Sequence, residues 1–472
     1  MSLEDQLYPL LDSYNALPRW AQSALGTVYR QLPQGWRYGA RYGEFKRFAT
    51  AGENWSIEEI QNYQLKHLRA VLHHSANHCP FYQRSFIRAG FRPENVHSPK
   101  DLKDCPFLEK RDLQEHLSDL VSTELPASQR LYMTTGGSTG VPVGFYLQKG
   151  VSRPKEQAYL EAMWRRAGYF DGARLAVIRG HVTSSQAQGR ITSYDATRNW
   201  LLLSSYHLKP ERLSEYLDAL EKFKPDFLHA YPSAALQLAE YLEKFGHAWR
   251  LPLRGLLCGS ERLTVPQKRL LERVFHCRAY RWYGHSERVV LAGEGAQSEL
   301  FYFFPQYGFV EFGPPDGDGL REVIGTSFHN LVMPLIRYRT GDYVRLAEPE
   351  KISDLEFPWP AALEIAGREQ EFLVSATGRH ISLTAFNMHD AVFDDLYAVQ
   401  FCQEQPGVAE FRYVAGPRFH SSRLARIEEG IRRKLGDDFQ ITFREVNDVE
   451  KTPGGKHRWL VSKLPDAGTT AG

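Results

Sequence analysis

At 472 residues the chain is long enough for a large buried core and for two or more domains, and its 58 basic against 56 acidic side chains give no sign of a nucleic-acid or anionic-membrane binder. The five cysteines are scattered without a C-x-x-C pair, which argues against a disulfide scaffold or a zinc knuckle, and we expect them to be reduced. No apolar leader follows the early acidic residues Glu4 and Asp5, and no apolar run approaches the ~20 residues of a membrane span, so we expect a cytosolic protein without membrane insertion.

Helical periodicity runs through residues 1–120, which we predict to form a helical N-terminal region of the large domain. Ser56 fits an N-cap, and Glu58 and Glu59 follow in the first turn, where acidic side chains stabilise a helix. An apolar face then continues at Ile60, Leu65, Leu68, Val71 and Leu72.

The same predicted helix carries three histidines near its end. His73, His74 and His78 have a spacing that fits metal ligands on a helix. The sequence offers no fourth ligand nearby, so we expect a polar helix face rather than a metal site. The helical region then ends in the polar turn at residues 106–112.

Glycines and hydroxyl side chains are concentrated just after residue 130. The densest run consists of Thr134, Thr135, Gly136, Gly137, Ser138, Thr139 and Gly140. Glycines let backbone N–H groups turn inward, and the hydroxyls add donors for negatively charged oxygens. The run therefore predicts a cradle for a polyphosphate, although an ordinary turn between strands fits the same composition.

Two other interpretations of this run do not fit its surroundings. A P-loop needs Gly-Lys followed by serine or threonine, and the only Gly-Lys pair, Gly455-Lys456, lacks that residue. A nucleophile elbow at Ser138 needs a helix to follow, whereas the apolar, β-rich residues 141–147 predict a strand. A strand–loop–strand phosphate cradle is the favoured interpretation.

From about residue 130 to 345, short apolar runs alternate with amphipathic helices. Strands are predicted at 175–178, 227–230 and 256–258, and helices at 211–223 and 233–245. This alternation predicts a largely parallel α/β sheet, whose ligands lie beyond the carboxyl ends of the strands. Polar clusters follow these strands at 231–233, 259–261 and 283–287, and we expect them to converge on one crevice.

A break rich in proline and glycine near residues 357–368 predicts a second domain. Beyond it the sequence predicts strands at 397–401, 410–414 and 440–443 and a helix at 422–435. The chain is thus divided into an α/β core at 121–366, a small α+β domain at 367–465 and a disordered tail at 466–472.

The clusters, taken in order, form a set of motifs that resembles a known superfamily. They are TTGGSTGVP at 134–142, YPS at 231–233, GSE at 259–261, YGHSE at 283–287, YRTGD at 338–342, GREQE at 367–371 and TPGGK at 452–456. This set resembles the adenylate-forming ligases, which comprise acyl-CoA synthetases and adenylation domains. PFYQRSF at 80–86 and PFLEKRDL at 106–113 are similar to the phenylacetate–CoA ligase-like group and its CapK-like, capsular-polysaccharide branch.

The resemblance implies a fold, a reaction and a set of ligands. The fold is a large α/β domain with layered sheets and a small mobile lid domain. The reaction is ATP-dependent adenylation of a small-molecule carboxylate with release of pyrophosphate, followed by acyl transfer to CoA or to an amine, such as an amino sugar in surface-polysaccharide assembly. ATP and Mg²⁺ are the implied ligands, with CoA as one candidate acceptor, and the oligomeric state is not indicated.

The resemblance also assigns roles to residues. The run 134–140 would hold the β- and γ-phosphates, Glu287 would bind Mg²⁺, Ser286 would bind the α-phosphate and Asp342 would bind the ribose hydroxyls. It places Gly259, Ser260, Glu261, Tyr283, Gly284 and Arg368 around the nucleotide, and Tyr231 and His285 in the acyl pocket. From the residues alone, Glu287 also fits a helix-start carboxylate and Asp342 a turn residue.

The most specific role that the resemblance implies is that of Lys456. By resemblance it would bridge the substrate carboxylate and the α-phosphate oxygens, projected by the loop Thr452-Pro453-Gly454-Gly455; a solvated turn lysine is the plain alternative. Glu371 would be the hinge of the lid, at a position where the superfamily often has aspartate.

The clearest departure from the superfamily is Val141, where many relatives place lysine. Arg153, Lys149 or Arg179 would then supply the missing cation, or ATP use is weakened. Three alternative functions therefore stay open. They are a degenerate nucleotide-binding or scaffold protein, a Ser138 hydrolase, and an enzyme that transfers AMP to a phenolic hydroxyl.

Overall fold

The computed structural model describes residue 14 and residues 17–134, 143–179, 191–316, 319–348, 355–366, 372–383, 396–415, 419–450 and 460–464. The α-helices in these ranges are α1 (Arg19–Gln31), α2 (Gln34–Tyr38), α3 (Ala40–Ala51), α4 (Ile57–His78), α5 (Pro80–Ala89), α6 (Lys110–Glu115), α7 (Leu117–Leu120), α8 (Ser152–Arg165), α9 (Leu213–Phe223), α10 (Pro232–Lys244), α11 (Val265–Phe275) and α12 (Ser421–Leu435). Among the described residues, no helix combines the length and the apolar character needed to cross a membrane.

The strands up to the central region are β1 (Arg130–Thr134), β2 (Gly144–Gln148), β3 (Leu175–Arg179), β4 (Thr192–Asp195), β5 (Trp200–Ser204), β6 (Phe227–Ala230), β7 (Gly255–Gly259), β8 (Ala279–Gly284), β9 (Leu291–Glu294) and β10 (Phe301–Phe303). They are followed by β11 (Gly308–Pro315), β12 (Arg321–Ser327), β13 (Tyr338–Leu346), β14 (Ala361–Ile365), β15 (Phe372–Val374), β16 (His380–Ser382), β17 (Leu396–Gln405), β18 (Val408–Ala415), β19 (Gln440–Glu445) and β20 (Leu460–Ser462).

A twelve-stranded mixed sheet organises the large domain, with the strand order β11-β12-β13-β14-β10-β9-β8-β7-β6-β3-β5-β4. Strands β5, β3, β6, β7 and β8 run parallel to their neighbours within that group. The prediction of a largely parallel sheet holds for this part and is wrong from β9 onward, where the pairs are antiparallel. Short connections without a crossover helix join β8 to β9, β9 to β10 and β11 to β12, and strands joined in this way pair antiparallel.

The period-two pattern of the parallel strands explains why this sheet is covered on both faces. In β3, Ala176 and Ile178 pack into one core with helices α9, α10 and α11. Leu175 and Val177 point the other way and pack with α3 and α8. Because successive side chains in a strand point to opposite faces, a continuous apolar run fits a strand that is buried on both sides.

The N-terminal region is helical, as predicted. Helix α4 begins with a capping box, in which the Ser56 side chain accepts from the Glu59 N–H and the Glu59 side chain accepts from the Ser56 N–H. Its face bearing Leu68 and Leu72 packs against the antiparallel part of the sheet and against the β1–β2 hairpin.

The C-terminal domain matches the predicted α+β pattern. A four-stranded sheet of order β19-β18-β17-β20 packs against α12 around its own core. Asp438 of this domain pairs with Arg379 of the same domain at 2.7 Å, and it also pairs with Lys209 of the large domain at 3.2 Å.

Substitution of one glycine of the large domain, Gly308, is expected to lower the stability measurably. A Cβ added at Gly308 would lie 2.0 Å from the carbonyl oxygen of Val289 and 3.0 Å from that of Thr326, so backbone would have to move. We expect Gly308→Ala to lower the free energy of unfolding by about 1–3 kcal/mol or more, measured by chemical denaturation. Gly35→Ala is the control, because nothing lies within 4 Å of the Cβ it would add. Equal unfolding midpoints for the two variants would contradict this account.

Candidate nucleotide-binding site

The candidate site lies at the carboxyl ends of the parallel strands β3, β6, β7 and β8. Parallel strands end at the same edge of a sheet, so the segments that follow them are neighbours. The backbone N–H of Ser233, after β6, donates to Glu261 Oε2, after β7, at 2.9 Å. The Arg179 Nη2, at the end of β3, donates to the Ser260 hydroxyl at 2.6 Å. The predicted convergence is confirmed for the clusters at 231–233 and 259–261.

The turn at Gly259 and Ser260 has a shape that other residues would not adopt easily. A Cβ at Gly259 would lie 2.2 Å from the ring of Trp282 on the neighbouring strand, so only glycine fits there. Ser260 has a φ of 71°, in the left-handed region that costs a non-glycine residue energy. The guanidinium of Arg179 also lies 4.4 Å from the centre of the Tyr231 ring, so Tyr231 faces this crevice.

Tyr283 and Asp342 come together from distant parts of the chain. The Tyr283 hydroxyl donates to Asp342 Oδ2 at 2.8 Å. The carboxylate lies at an irregularity of strand β13, where the register with β12 shifts, Gly341 has a φ of 73° and the Asp342 N–H donates to the Thr340 hydroxyl at 3.1 Å. This arrangement places two residues of the predicted nucleotide site side by side.

Glu287 is a buried carboxylate held in its charged form. The Tyr338 hydroxyl donates to Glu287 Oε1 at 2.9 Å, and His285 Nδ1–H donates to Oε2 at 3.1 Å. Burial alone would raise the pKa of Glu287, but the hydrogen bond and charge of His285 and the charge of Lys110 outweigh it and lower the pKa to about 2. His285, predicted in the acyl pocket, thus contacts Glu287, and Gly284 and Ser286 lie in the same segment.

The donor set at Glu287 fits a magnesium ion. The two carboxylate oxygens have about four lone-pair sites, and the two hydrogen bonds above and one from the Glu287 backbone occupy three of them, so at least one site remains for a cation. Mg²⁺ prefers hard oxygen ligands and uses few protein carboxylates, completing its shell with water and phosphate. Glu287 is the residue of this crevice that would hold such an ion.

Lys155 was missed by sequence reasoning although it supports this segment. Its Nζ donates to the carbonyl oxygens of Arg288 at 3.1 Å and Tyr307 at 3.3 Å, and burial lowers the pKa of Lys155 to about 7. Arg288 directly follows Glu287, so the buried Lys155 side chain fixes the backbone next to the carboxylate. A signal was present in the sequence, because Lys155 shares a helix face with the buried Ala158 and Tyr159.

The glycine-rich run follows β1 and precedes β2, which pair as an antiparallel hairpin. The strand predicted after the run is confirmed, and its start at Gly144 contradicts the nucleophile elbow at Ser138, which requires a helix there. Thr134, at the end of β1, is buried, and Lys149 lies at the opposite end of the hairpin from the Thr134–Gly144 pair. Of the cations considered as replacements at Val141, Arg179 lies in the crevice.

The remaining predicted site residues lie outside the described residues. They are Thr135, Gly136, Gly137, Ser138, Thr139, Gly140, Arg368, Glu371 and Lys456. The segment that contains Lys456 is nevertheless bounded by anchored residues, because the backbone of Glu450 bonds to the Gln400 side chain and Leu460 pairs with Phe401. Both anchors belong to β17, so the segment starts and ends on the small domain.

Comparison with known structures shows the fold to be that of the adenylate-forming ligases. 2-Hydroxyisobutyryl-CoA ligase, in complex with 2-HIB-AMP and CoA in its thioesterification state, superposes with a TM-score of 0.53 at 17% identity, over 86% of this chain and 90% of that chain. The same ligase in the postadenylation state gives a TM-score of 0.51 at 16% identity, over 84% and 88%.

Sequence comparison identifies proteins that are similar to this chain. The chain is 23% identical to protein CapK of Staphylococcus aureus over 463 residues, which is 96% of this chain and 99% of that protein. It is 27% identical to the phenylacetate-coenzyme A ligase of Escherichia coli (strain K12) over 310 residues, 62% of this chain and 69% of that protein. A family model for the CapK C-terminal domain matches residues 373–463. The chain is therefore similar to CapK over nearly its whole length and to a phenylacetate-coenzyme A ligase over 62% of it, in agreement with the resemblance that its motifs predicted.

Proposed function

We propose that this chain is an ATP-dependent ligase that converts a small-molecule carboxylate to an acyl-adenylate, releases pyrophosphate and passes the acyl group to CoA or to an amine. The observation that supports the proposal is that the buried Glu287, the Tyr283–Asp342 pair and the Gly259–Ser260 turn lie on neighbouring strands. Gly259 pairs with Trp282, next to Tyr283, and Glu287 bonds to Tyr338 on the strand that carries Asp342. A single phosphate site or a hydrolase would not need this combination.

The chemistry requires each of these groups. A carboxylate is a poor electrophile, and transfer of AMP to it creates a mixed anhydride with a good leaving group. The site must neutralise the charge that develops on the α-phosphate and on the leaving pyrophosphate, and it must exclude water. A magnesium ion at Glu287 would supply the neutralising charge on the phosphate oxygens.

The protein residues would divide the remaining work. The Asp342 carboxylate accepts hydrogen bonds, and the two ribose hydroxyls are suitable donors for it. The left-handed turn at Ser260 exposes backbone and a hydroxyl beside Arg179, a cation that would face the nucleotide in place of the lysine that is missing at Val141. The run 134–140 would hold the β- and γ-phosphates, and Tyr231 would face the acyl group.

The small domain would act as the mobile lid that brings Lys456 to the reacting atoms. Both ends of the segment that contains Lys456 are anchored to β17. The lysine would therefore move with the small domain when this domain turns about Glu371. In this proposal the acceptor is CoA or an amine, with an amino sugar of a surface polysaccharide as a candidate because of the likeness to CapK.

A pyrophosphate-exchange screen over aryl, acyl and amino acids tests this function. We expect exchange that requires ATP, Mg²⁺ and one class of carboxylate, and we expect added hydroxylamine to trap the activated acyl group as a hydroxamate. CoA is then added to the carboxylate that gives exchange, and thioester formation identifies the acceptor as a thiol.

Other outcomes would point to the alternative functions. ATP binding by calorimetry without exchange for any carboxylate would indicate a degenerate nucleotide-binding protein. A stable adenylated phenol would indicate AMP transfer to a hydroxyl group. Labelling by a serine-directed phosphonate, lost in Ser138→Ala, would indicate a hydrolase and would overturn the proposal.

A further inference from the structure

A second constellation of ligating side chains lies outside the crevice, at the C-terminal end of α4. His74 and His78 are one helical turn apart and therefore share a face of the helix. The Thr123 N–H and hydroxyl both bond to the His78 carbonyl oxygen, at 2.8 Å and 3.1 Å. These bonds bring the next residue, Glu124, onto the face that carries the two imidazoles.

The distances between the three side chains fit a tetrahedral ion. Glu124 Oε2 lies 3.3 Å from His74 Nδ1 and 3.7 Å from His78 Nε2, and all three ligand atoms lie within 4.8 Å of one another. Imidazole nitrogens and carboxylate oxygens bind Zn²⁺ at ~2.0–2.2 Å, which places tetrahedral ligand atoms about 3.3 Å apart. The side chains would need only small movements to close on an ion.

The other ring nitrogen of His74, Nε2, already makes a hydrogen bond of the kind that orients zinc-bound imidazoles. His74 Nε2 lies 2.8 Å from the Leu331 carbonyl oxygen, which can only accept, so Nε2 carries the proton. In the neutral ring, Nδ1 then presents a lone pair towards the Glu124 carboxylate, so two acceptors face each other. A cation between them makes this arrangement favourable, and a backbone carbonyl behind a zinc-bound imidazole is a common way to orient it.

We propose that His74, His78 and Glu124 bind one Zn²⁺ ion, with water as the fourth ligand. Two imidazoles and one carboxylate suit Zn²⁺ better than Mg²⁺ or Ca²⁺, which prefer oxygen ligands. The proposal does not depend on the proposed ligase activity, because none of the three side chains belongs to the crevice.

The position of the ion defines what it would stabilise. It would join the end of α4 to the segment that leads into β1. Through His74 it would also fix Leu331, whose N–H donates to the Gln148 side chain on β2 at 3.2 Å. The ion would thus stabilise the β1–β2 hairpin at the end opposite the glycine-rich run.

Metal titration of the chelator-treated full chain tests the proposal. We expect one equivalent of Co²⁺ to give the visible absorption of a tetrahedral site, and one equivalent of Zn²⁺ to displace it. Glu124→Ala should weaken Zn²⁺ binding by ~10-fold or more, since even an indirect supporting residue costs 10–100-fold. Zn²⁺ should also raise the melting temperature of the wild-type chain and not that of Glu124→Ala.

Two further variants make the experiment selective. His73→Ala is the matched control, because His73 lies on the same helix but faces Glu94 at 3.9 Å, and it should bind Zn²⁺ like the wild type. Glu287→Gln should also keep the Co²⁺ spectrum, which separates this site from the crevice.

Two outcomes would overturn the proposal. One is the absence of Co²⁺ and Zn²⁺ binding by the wild type, and the other is binding by Glu124→Ala and His78→Ala as tight as that of the wild type. Glu124 and His78 are partly exposed, so these two variants test the site even if His74→Ala does not fold.

Discussion

Lys456→Ala is expected to slow adenylation by ~10²–10³-fold or more while the fold remains intact, as the loss of one preorganised charge contact does in other enzymes. The reason is that its ammonium would meet the charge that develops between the carboxylate and the α-phosphate. The rate is measured by pyrophosphate exchange, and the fold by circular dichroism and the unfolding midpoint.

Lys451→Ala is the matched control for that experiment. Both lysines lie between Glu450 and Leu460, the two residues that are anchored to β17, so the variants remove the same charge from the same segment. Exchange should change by less than about threefold in Lys451→Ala, a small effect beside the ~10²-fold expected for a reacting-centre contact. Unchanged exchange in Lys456→Ala would refute the assigned role and leave a solvated turn lysine as the correct interpretation.

Glu287→Gln is expected to lower the rate of pyrophosphate exchange by ~10²-fold or more at low Mg²⁺, because the amide loses the charge that would hold the metal ion. The substitution keeps the shape and can still accept the hydrogen bond from Tyr338. Raising the Mg²⁺ concentration should recover part of the lost rate, and a Mg²⁺ titration of exchange measures this shift.

Glu161→Gln provides the control for a buried carboxylate. Glu161 is buried in α8 and, like Glu287, accepts a hydrogen bond from a tyrosine hydroxyl, that of Tyr42. We expect its Mg²⁺ dependence to match that of the wild type. If both variants lose activity equally and neither responds to Mg²⁺, the deficit is one of folding and Glu287 is not the metal ligand.

Local sequence patterns predicted much of the fold and of the crevice. Apolar runs separated by amphipathic helices located β3, β6 and β7, because strands buried on both faces leave a continuous apolar signature. Polar residues directly after those strands located the crevice, because parallel strands place their carboxyl ends at one edge. The antiparallel half of the sheet was not predicted, since the way in which strands β9, β10, β11, β12, β13 and β14 pair depends on their connections rather than on composition.

Contacts between distant segments were beyond the sequence patterns. Glu124 is placed beside His74 and His78 by the two bonds from Thr123 to the His78 carbonyl, and helical spacing carries no information about that. The support of the Glu287 segment by Lys155 depends in the same way on the packing of α8 behind it. Periodicity reports which face of an element is buried, and it does not report which other element covers that face.

The carboxylate of Asp438 has two cationic partners on opposite sides of the domain boundary. Turning of the small domain would separate Asp438 from Lys209, but Arg379 would move with it because both residues belong to the same domain. The carboxylate would therefore never be left as a lone charge during the motion, which removes the largest electrostatic penalty of breaking a partly buried ion pair. The arginine makes the ion pair between the domains inexpensive to open.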